Sequence, residues 1–281
     1  MVDGALRAFQ DDPSLHLLLV GPPEASGAVL AALDPEQRVR VGATAAATEG
    51  VRAGMLAVAE GRADAVVSAG NTAIIVTSAA LHVGRWPGVR RPPLAAVLPT
   101  VAGRLVLLDV GSSVDPDPRT LVMHARLGAA YASVVHGVTE PRVGLLTIGT
   151  EDGKGDRLRR ALPPLLDALD LPAGARYVGL VEGLDVVLGS AADVVVTDGF
   201  TGNVLLKGLE AAYATVGSPT PAAAAPPRAA LLLGVAGTVV VCHGAASGAD
   251  LAAGIALAAE LHRRDSVAAM AELIPHNEVS P

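Results

Sequence analysis

Three residues of this sequence are best placed to do chemistry: a lysine between two glycines, an aspartate closing a valine run, and a histidine after an apolar stretch. Lys154 stands in Thr150-Glu151-Asp152-Gly153-Lys154-Gly155-Asp156, directly after the apolar run Arg142–Ile148. Asp198 closes Asp193–Thr197 and opens the turn Gly199-Phe200-Thr201-Gly202-Asn203. His243 follows Thr238–Cys242 and precedes Gly244. Each lies at the carboxyl end of a run that reads as a buried strand, and open α/β sheets bind ligands outside those ends. Glycine turns that lead into helices present backbone amides to anions. Gly70-Asn71-Thr72, Gly111-Ser112-Ser113, Gly153-Lys154-Gly155 and Gly199–Asn203 are such turns. A cation, convergent amides and an imidazole suit a phosphate or a developing oxyanion.

Each of these residues also has a plainer reading. Lys154 is either a phosphate partner or a solvated loop lysine. Asp198 either orients a donor and accepts a proton, or caps the following helix. Thr201 and Asn203 are candidate caps as well. Asp109, which ends Leu105–Leu108, pairs with Lys154 or with the amides of its own loop. His243 either donates to a ligand or is structural. Cys242 reads as a small buried hydrophobe, not a nucleophile. Glu182, Glu151 and Asp152 would repel phosphate unless Lys154 balances them, so a structural hydrogen-bonding role is the default. The seven histidines are scattered without ligand spacing, and with one cysteine no zinc site is readable. GxGxxG after the first strand, GxxxxGK[ST] and GxSxG are all absent, which disfavours nicotinamide, P-loop and hydrolase-elbow sites.

The elements that must position these residues follow a βαβ rhythm. Strands are expected at Leu15–Val20, Arg38–Val41, Ala63–Ser68, Leu94–Leu98, Arg104–Asp109, Arg142–Ile148, Tyr177–Val181, Asp193–Thr197 and Thr238–Cys242. Only Thr100–Gly103 separates the fourth from the fifth, so those two should form a hairpin in an otherwise parallel sheet. A helix is expected from Pro118 to about Val135, with Asp117 as N-cap, Gly137 closing it, and an apolar stripe of Leu121, Val122, Ala125, Ala129, Ala132 and Val135. Gly217–Arg228 is a proline- and alanine-rich flexible connection. The expected class is α/β, a mainly parallel, mixed sheet sandwiched by helices, with residues 1–281 as a single domain.

Composition narrows the function. Of 281 residues 51% are hydrophobic, enough for a sizeable core, while aromatics at 2% leave no stacking platform for nucleic acid. A formal charge of −7 also argues against nucleic acid or anionic lipid. A single cysteine suits a reducing compartment, and the amino terminus carries acids early with no apolar core stretch. A cytoplasmic location is the expectation.

The strings ADAVVSAGNTA, RPPLAAVLPT, LLDVGSSVD, RVGLLTIGTEDGKGD, DVVVTDGFTGNVLLK and GVAGTVVVCHG occur in that order. Together they resemble the phosphate:acyl-carrier-protein acyltransferases of bacterial phospholipid synthesis, the PlsX family. The resemblance is dense from about Ala63 to Leu209 and returns at Leu231–Ala259. It implies an isopropylmalate-dehydrogenase-like fold and transfer of a fatty acyl group from acyl-carrier protein to inorganic phosphate. It implies no cofactor or metal, and a homodimer. Lys154, Asp198 and His243 are then the candidate catalytic residues. Asn71, Thr72, Asp109, Gly111, Gly153, Gly155, Glu182, Thr201 and Asn203 are the candidate substrate-binding residues, and Arg90 and Arg91 are basic groups for an acidic carrier.

Several positions depart from the family pattern. Ala73 replaces a glycine, Gly111-Ser112-Ser113 stands for GAN, and Leu180 and Leu184 stand where an asparagine and an arginine are usual. A leucine cannot replace the planar guanidinium fork. The family's opening strand and DAMGGD-type turn are missing before Val2, through a misassigned start or a truncation. Its helical insertion is replaced by the 217–228 stretch, which makes membrane contact doubtful. Two rival readings follow, a paralogue using another acceptor and a non-enzymatic acyl or carrier-binding protein.

Overall fold

The structure is a computed structural model that describes residues 2–45, 49–151, 153–217 and 229–274. Its strands are β1 (Leu17–Gly21), β2 (Val41–Ala45), β3 (Ala65–Ser68), β4 (Leu94–Thr100), β5 (Gly103–Leu108), β6 (Arg142–Leu146), β7 (Arg176–Val181), β8 (Val194–Val196), β9 (Ala229–Leu232) and β10 (Thr238–Cys242). The chain divides into two compact units, Met1–Arg85 with Arg228–Val267, and Trp86–Pro227 with Ala268–Pro281. The expected flexible connection at 217–228 falls, beyond Gly217, outside the described residues.

In the second unit β5, β8, β6 and β7 lie side by side and parallel, and β4 pairs antiparallel with β5. The hairpin expected from the short Thr100–Gly103 link is this β4–β5 pair, with Thr100 opposite Gly103. Val194, Val195 and Val196 are fully buried at the middle of the group, as a continuous valine run between two neighbours should be. The helix Pro118–His136 covers them. Asp117 caps it by accepting from the Thr120 amide at 2.8 Å, and Gly137 ends it in the left-handed region at φ 67°. Its whole expected stripe is buried. Gly128 lets the helix approach, since a Cβ there would come 2.7 Å from Val194 Cγ1.

In the first unit β10 is buried along its length, flanked by β3 in parallel and β9 antiparallel. The helix Gly248–Arg263 packs on it so closely that a Cβ at Gly254 would come 2.7 Å from Cys242 Sγ. Burial pushes the Cys242 thiol up to about 11, with Asp250 adding to the shift. A thiol of that kind stays protonated and is a poor nucleophile. β1 and β2 form a separate parallel pair.

Two expectations need correction. Residues Pro35–Arg38 form a helical turn where a strand starting at Arg38 was expected. Asp34 accepts from the Gln37 amide at 2.8 Å and the Gln37 side chain accepts from the Asp34 amide at 3.2 Å. That capping box, with Pro35 at the first helical position, overrides the strand-like alternation of Arg38-Val39-Arg40-Val41, and the strand begins at Val41. Strand β9 was not expected at all. Ala229–Leu232 lacks β-branched residues, and pairing with β10 makes it a strand.

Candidate active site

Asp109, Gly111, Gly153, Lys154, Gly155, Glu182, Asp198, Thr201 and Asn203 all lie in the second unit, in the segments after β5, β6, β7 and β8. Because those strands are parallel, the segments share one carboxyl edge.

Asp109 is fully buried and takes up the amides of its own loop. Its Oδ1 accepts from the amides of Leu94 at 3.1 Å, Gly111 at 3.1 Å and Ser112 at 2.9 Å. Its Oδ2 accepts from the Ser113 amide at 2.6 Å and faces the Ser112 hydroxyl at 2.9 Å. A glycine turn that could cradle an external anion is thus closed around an internal carboxylate. Gly111, at φ 142°, keeps the conformation the turn needs, but its N–H points inward. Of the two readings of Asp109, the geometry is that of pairing with loop amides.

This loop is the seat for the helix Gly199–Val216. The Gly199 amide donates to the Ser113 carbonyl at 2.7 Å, and the Asn203 side-chain amide donates to the Val110 carbonyl at 3.0 Å. A Cβ at Gly202 would lie 2.0 Å from the Asp109 carbonyl oxygen, and one at Gly199 would lie 2.8 Å from that of Ser113. The two glycines of Asp198–Asn203 therefore let a helix start against backbone. Asn203 lies inside the helix and ties it to the loop, so it is not a cap.

Asp198 is the N-cap. Its Oδ1 accepts from the Thr201 amide at 2.8 Å and its Oδ2 from the Thr201 hydroxyl at 2.8 Å. Its third partner is a residue the sequence reading missed. Arg159, only 7% exposed, reaches Asp198 Oδ2 through Nη2. The same guanidinium donates to the Thr197 hydroxyl at 2.8 Å, the Leu146 carbonyl at 3.2 Å and Asp156 Oδ2 at 2.8 Å. It therefore stitches the end of β6 to the end of β8. Asp156 caps the helix Arg157–Ala161 by accepting from the Arg159 amide at 2.8 Å. The Asp156-x-x-Arg159 spacing after the glycine turn was the visible signal. Nothing in the sequence shows that the arginine turns inward.

The Gly153-Lys154-Gly155 turn lies over this arginine. Both glycines have positive φ, 83° and 81°, and a Cβ at Gly155 would come 2.7 Å from Arg159 Cβ. The turn closes with the Lys154 amide donating to the Glu151 carbonyl at 3.1 Å. The Lys154 side chain is exposed, with its stem close to Gly149. Glu182 caps the helix Gly183–Leu188, its own amide donating to Asp185 Oδ2 at 2.8 Å. Leu184 in that first turn is 67% exposed, a large apolar side chain at the rim.

Asn71, Thr72 and His243 belong to the first unit, at the carboxyl ends of β3 and β10. Asn71 caps the helix Thr72–Ser78 by accepting from the Ile74 amide at 3.2 Å. His243 is exposed, and its Nδ1 accepts from the Ala245 amide at 3.2 Å. A neutral imidazole that accepts at Nδ1 carries its proton at Nε2.

Charge is held firmly in the second unit. Burial works to raise the Asp198 carboxyl, but the Thr201 amide and hydroxyl and the Arg159 guanidinium outweigh it and leave it below the usual range. At Asp193 burial is likewise outweighed, there by a forked pairing with Arg142 at 2.8 and 3.0 Å. Folded carboxyls depressed in this way add stability above the unfolded value of about 4, and that stability is lost as pH falls through the folded value. Thermal melts should hold between pH 7 and about pH 5 and fall steeply below about pH 4. Asp193→Asn should lower the neutral plateau and flatten the acid limb. An equally steep limb in that variant would show that the carboxyl is not the source.

The second unit is thus an α/β unit with helix-starting glycine turns along the carboxyl edge of its parallel strands, carrying the exposed Lys154 and buried fixed charges. A branched-chain phosphotransacylase from Enterococcus faecalis V583 shares the fold, with a TM-score of 0.62 at 16% identity over 82% of this chain and 85% of that one. The family described as fatty acid synthesis protein matches residues 1–223. The phosphate acyltransferase of Thermobifida fusca is 39% identical over 93% of this chain and 83% of its own length. That of Bacillus subtilis is 52% identical over a shorter stretch, 54% of this chain and 45% of its own. The chain belongs to the phosphate acyltransferase family and is an acyltransferase enzyme. Among the described residues no helix is long and apolar enough to cross a membrane.

Proposed function

We propose that this chain transfers a fatty acyl group from acyl-carrier protein to inorganic phosphate, giving an acyl phosphate for phospholipid synthesis, and that it works as a cytoplasmic homodimer. The observation that carries the reading is the Gly153-Lys154-Gly155 turn, seated on Arg159 and exposing a cation at the carboxyl edge of β6. A phosphate oxygen attacks the thioester carbonyl, the C–S bond breaks, and the carrier leaves as a thiolate that takes up a proton. Phosphate is its own nucleophile, so no enzyme-bound acyl group is needed, which agrees with the inert Cys242.

Lys154 is proposed to hold phosphate and offset charge as the oxyanion forms. Asp198, ionised and tied to Arg159, fixes the amino end of the helix that carries Thr201 and Asn203, so its part is positioning. In the first unit His243, with its proton at Nε2, is the candidate donor to the leaving thiolate, and Asn71 and Thr72 are candidate hydrogen-bonding groups. Glu182, Gly111 and Asp109 shape the rim and its turns. Exposed Arg90 and Arg91 are the proposed contacts for an acidic carrier.

Lys154→Ala should raise the phosphate concentration for half-saturation by tenfold to a hundredfold, since a charge-assisted contact contributes about 1.5–3 kcal/mol. Half-saturation by acyl-carrier protein should stay the same. The assay is phosphate-dependent release of carrier thiol. Unchanged phosphate saturation in the variant would remove Lys154 from the site.

A further inference from the structure

Large apolar side chains stand exposed along the carboxyl edge of the second unit, in each of the segments that follow its parallel strands. Val114 follows β5, Ile148 follows β6, Leu184 follows β7, and Phe200 and Val204 follow β8. Ile148 is 82% exposed and Phe200 62%. The chain has two phenylalanines, and the other, Phe9, is buried.

Strand register sets these side chains in a row. β8 lies between β5 and β6, and β7 flanks β6. Leu145 pairs with Val196 and Leu146 with Val181, so Ile148 comes level with Gly199–Phe200 on one side and Gly183–Leu184 on the other. The Gly199 amide donates to the Ser113 carbonyl at 2.7 Å, so Val114 and Phe200 each follow one end of a shared hydrogen bond. Val204 is one helical turn beyond Phe200 on the same exposed face.

Packing gives no reason for this row. Phe200 sits in the first turn of a helix, where free amides and the positive end of the dipole favour polar or acidic residues. The helix is seated by Gly199, Gly202 and Asn203, and Phe200 takes no part. Exposed apolar clusters of this kind mark binding surfaces.

Its size and place single out one occupant. Ile148, Phe200, Val204 and Val114 together expose on the order of 400 Å², half of the about 800 Å² per partner that a stable protein interface buries. The row is one side chain wide, the shape of a linear apolar chain. It also starts at the lysine turn, since a Cβ at Gly149, the neighbour of Ile148, would come 3.3 Å from Lys154 Cγ. On the β7 side of that turn Leu184 stands alone, while the β8 side offers Phe200, Val204 and Val114. From β6 to β5 the row crosses two strand steps of about 4.8 Å, roughly 10 Å in all. An extended hydrocarbon gains about 1.25 Å per carbon from a 1.52 Å bond at a tetrahedral angle, so roughly eight carbons lie along it.

We infer that the acyl chain of the thioester substrate lies along Ile148, Phe200, Val204 and Val114, and that Phe200 and Val204 set the preference for acyl length. The inference rests on the proposed reaction, which puts the thioester carbonyl beside Lys154. Full burial of a methylene changes affinity about fourfold, and a chain on an open row is covered on one side, so each of about eight carbons should count about twofold.

The test is equilibrium binding of butanoyl- and decanoyl-acyl-carrier protein without phosphate, so that turnover plays no part. The decanoyl species should bind the unaltered chain at least tenfold more tightly than the butanoyl species. Combining Phe200→Ser with Val204→Ser should cut that ratio to threefold or less and leave butanoyl binding unchanged. Both positions are exposed, so melting should stay within about 2 °C. Phe200→Leu should keep most of the ratio, and Leu184→Ser, on the other side of the lysine turn, should keep all of it. A ratio that survives in the double variant, an equal loss for both chain lengths, or no binding of either species would overturn the inference. So would a dimer that the double variant converts to monomer in sedimentation, which would give the row to a second copy. Acyl phosphate formed without any length preference would sink this inference alone, and length-dependent binding without acyl phosphate would sink the reaction alone.

Discussion

Replacing Arg159 with leucine is expected to be the most damaging single change outside the hydrophobic core, at about 3–5 kcal/mol of stability. The guanidinium is buried and serves five acceptors on three segments, the Asp198 carboxylate and, at 3.5 Å, the Thr201 hydroxyl among them. Leucine fills part of the volume and leaves Asp198 buried beside the Thr197 hydroxyl with no countercharge. Melting should fall by roughly 5–9 °C. Acyl transfer should fall with it, because the turn over Arg159 carries Lys154. Arg159→Lys keeps the charge but not the fork, so it should recover only part of the loss. Adding Asp198→Asn to Arg159→Leu should recover more, since the amide needs no countercharge. A drop below about 1 kcal/mol in Arg159→Leu, or no coupling in the double variant, would show that the bridge does not hold the β6 and β8 ends together.

Gly202→Ala comes second. One methyl group is added, yet its carbon would sit 2.0 Å from the Asp109 carbonyl oxygen. That oxygen is backbone, in a loop locked by five contacts to the Asp109 carboxylate, so it cannot turn aside. The helix Gly199–Val216 must lift from its seat. Overpacking of this kind costs about 1–3 kcal/mol, at the upper end where backbone meets backbone. The contacts from Gly199 to Ser113 and from Asn203 to Val110 should be lost together, visible as faster exchange of the Gly199 amide. Gly208→Ala in the same helix meets nothing within 4 Å and should be neutral or mildly stabilising. Equal behaviour of the two variants would refute the close-approach account.

The contrast between these two glycines shows what could be read from the chain and what could not. Continuous valine runs, the Asp117 and Gly137 caps and the short Thr100–Gly103 link are local signals, and the structure carries all of them. The strand–turn–helix pattern at Asp193–Lys207 was equally legible, because a polar glycine turn between a buried strand and an apolar-periodic helix has few alternatives. The reasons for its glycines were not legible, since Asp109 is far away in sequence and only the fold brings its carbonyl under Gly202. Arg159 was missed for the same reason. A charged residue in Arg157–Ala161 reads as solvated until its acceptors on β6 and β8 are known. The inward turn of the Gly111–Ser113 amides depends on a carboxylate whose orientation no spacing reveals. β9 was missed because alanine and leucine carry no strand preference, and its partner β10 decides its conformation.

The most direct test of the proposed reaction is product formation by the purified chain. Long-chain acyl-carrier protein and inorganic phosphate are supplied, and acyl phosphate is trapped as a hydroxamate by hydroxylamine added at fixed times. The account predicts free carrier thiol, read before hydroxylamine is added, and hydroxamate above the enzyme-free thioester blank in equal amounts, both rising with phosphate and both at the blank level without it. Carrier thiol released at the same rate with and without phosphate, or no hydroxamate above the blank from a chain that still binds the carrier, would contradict it.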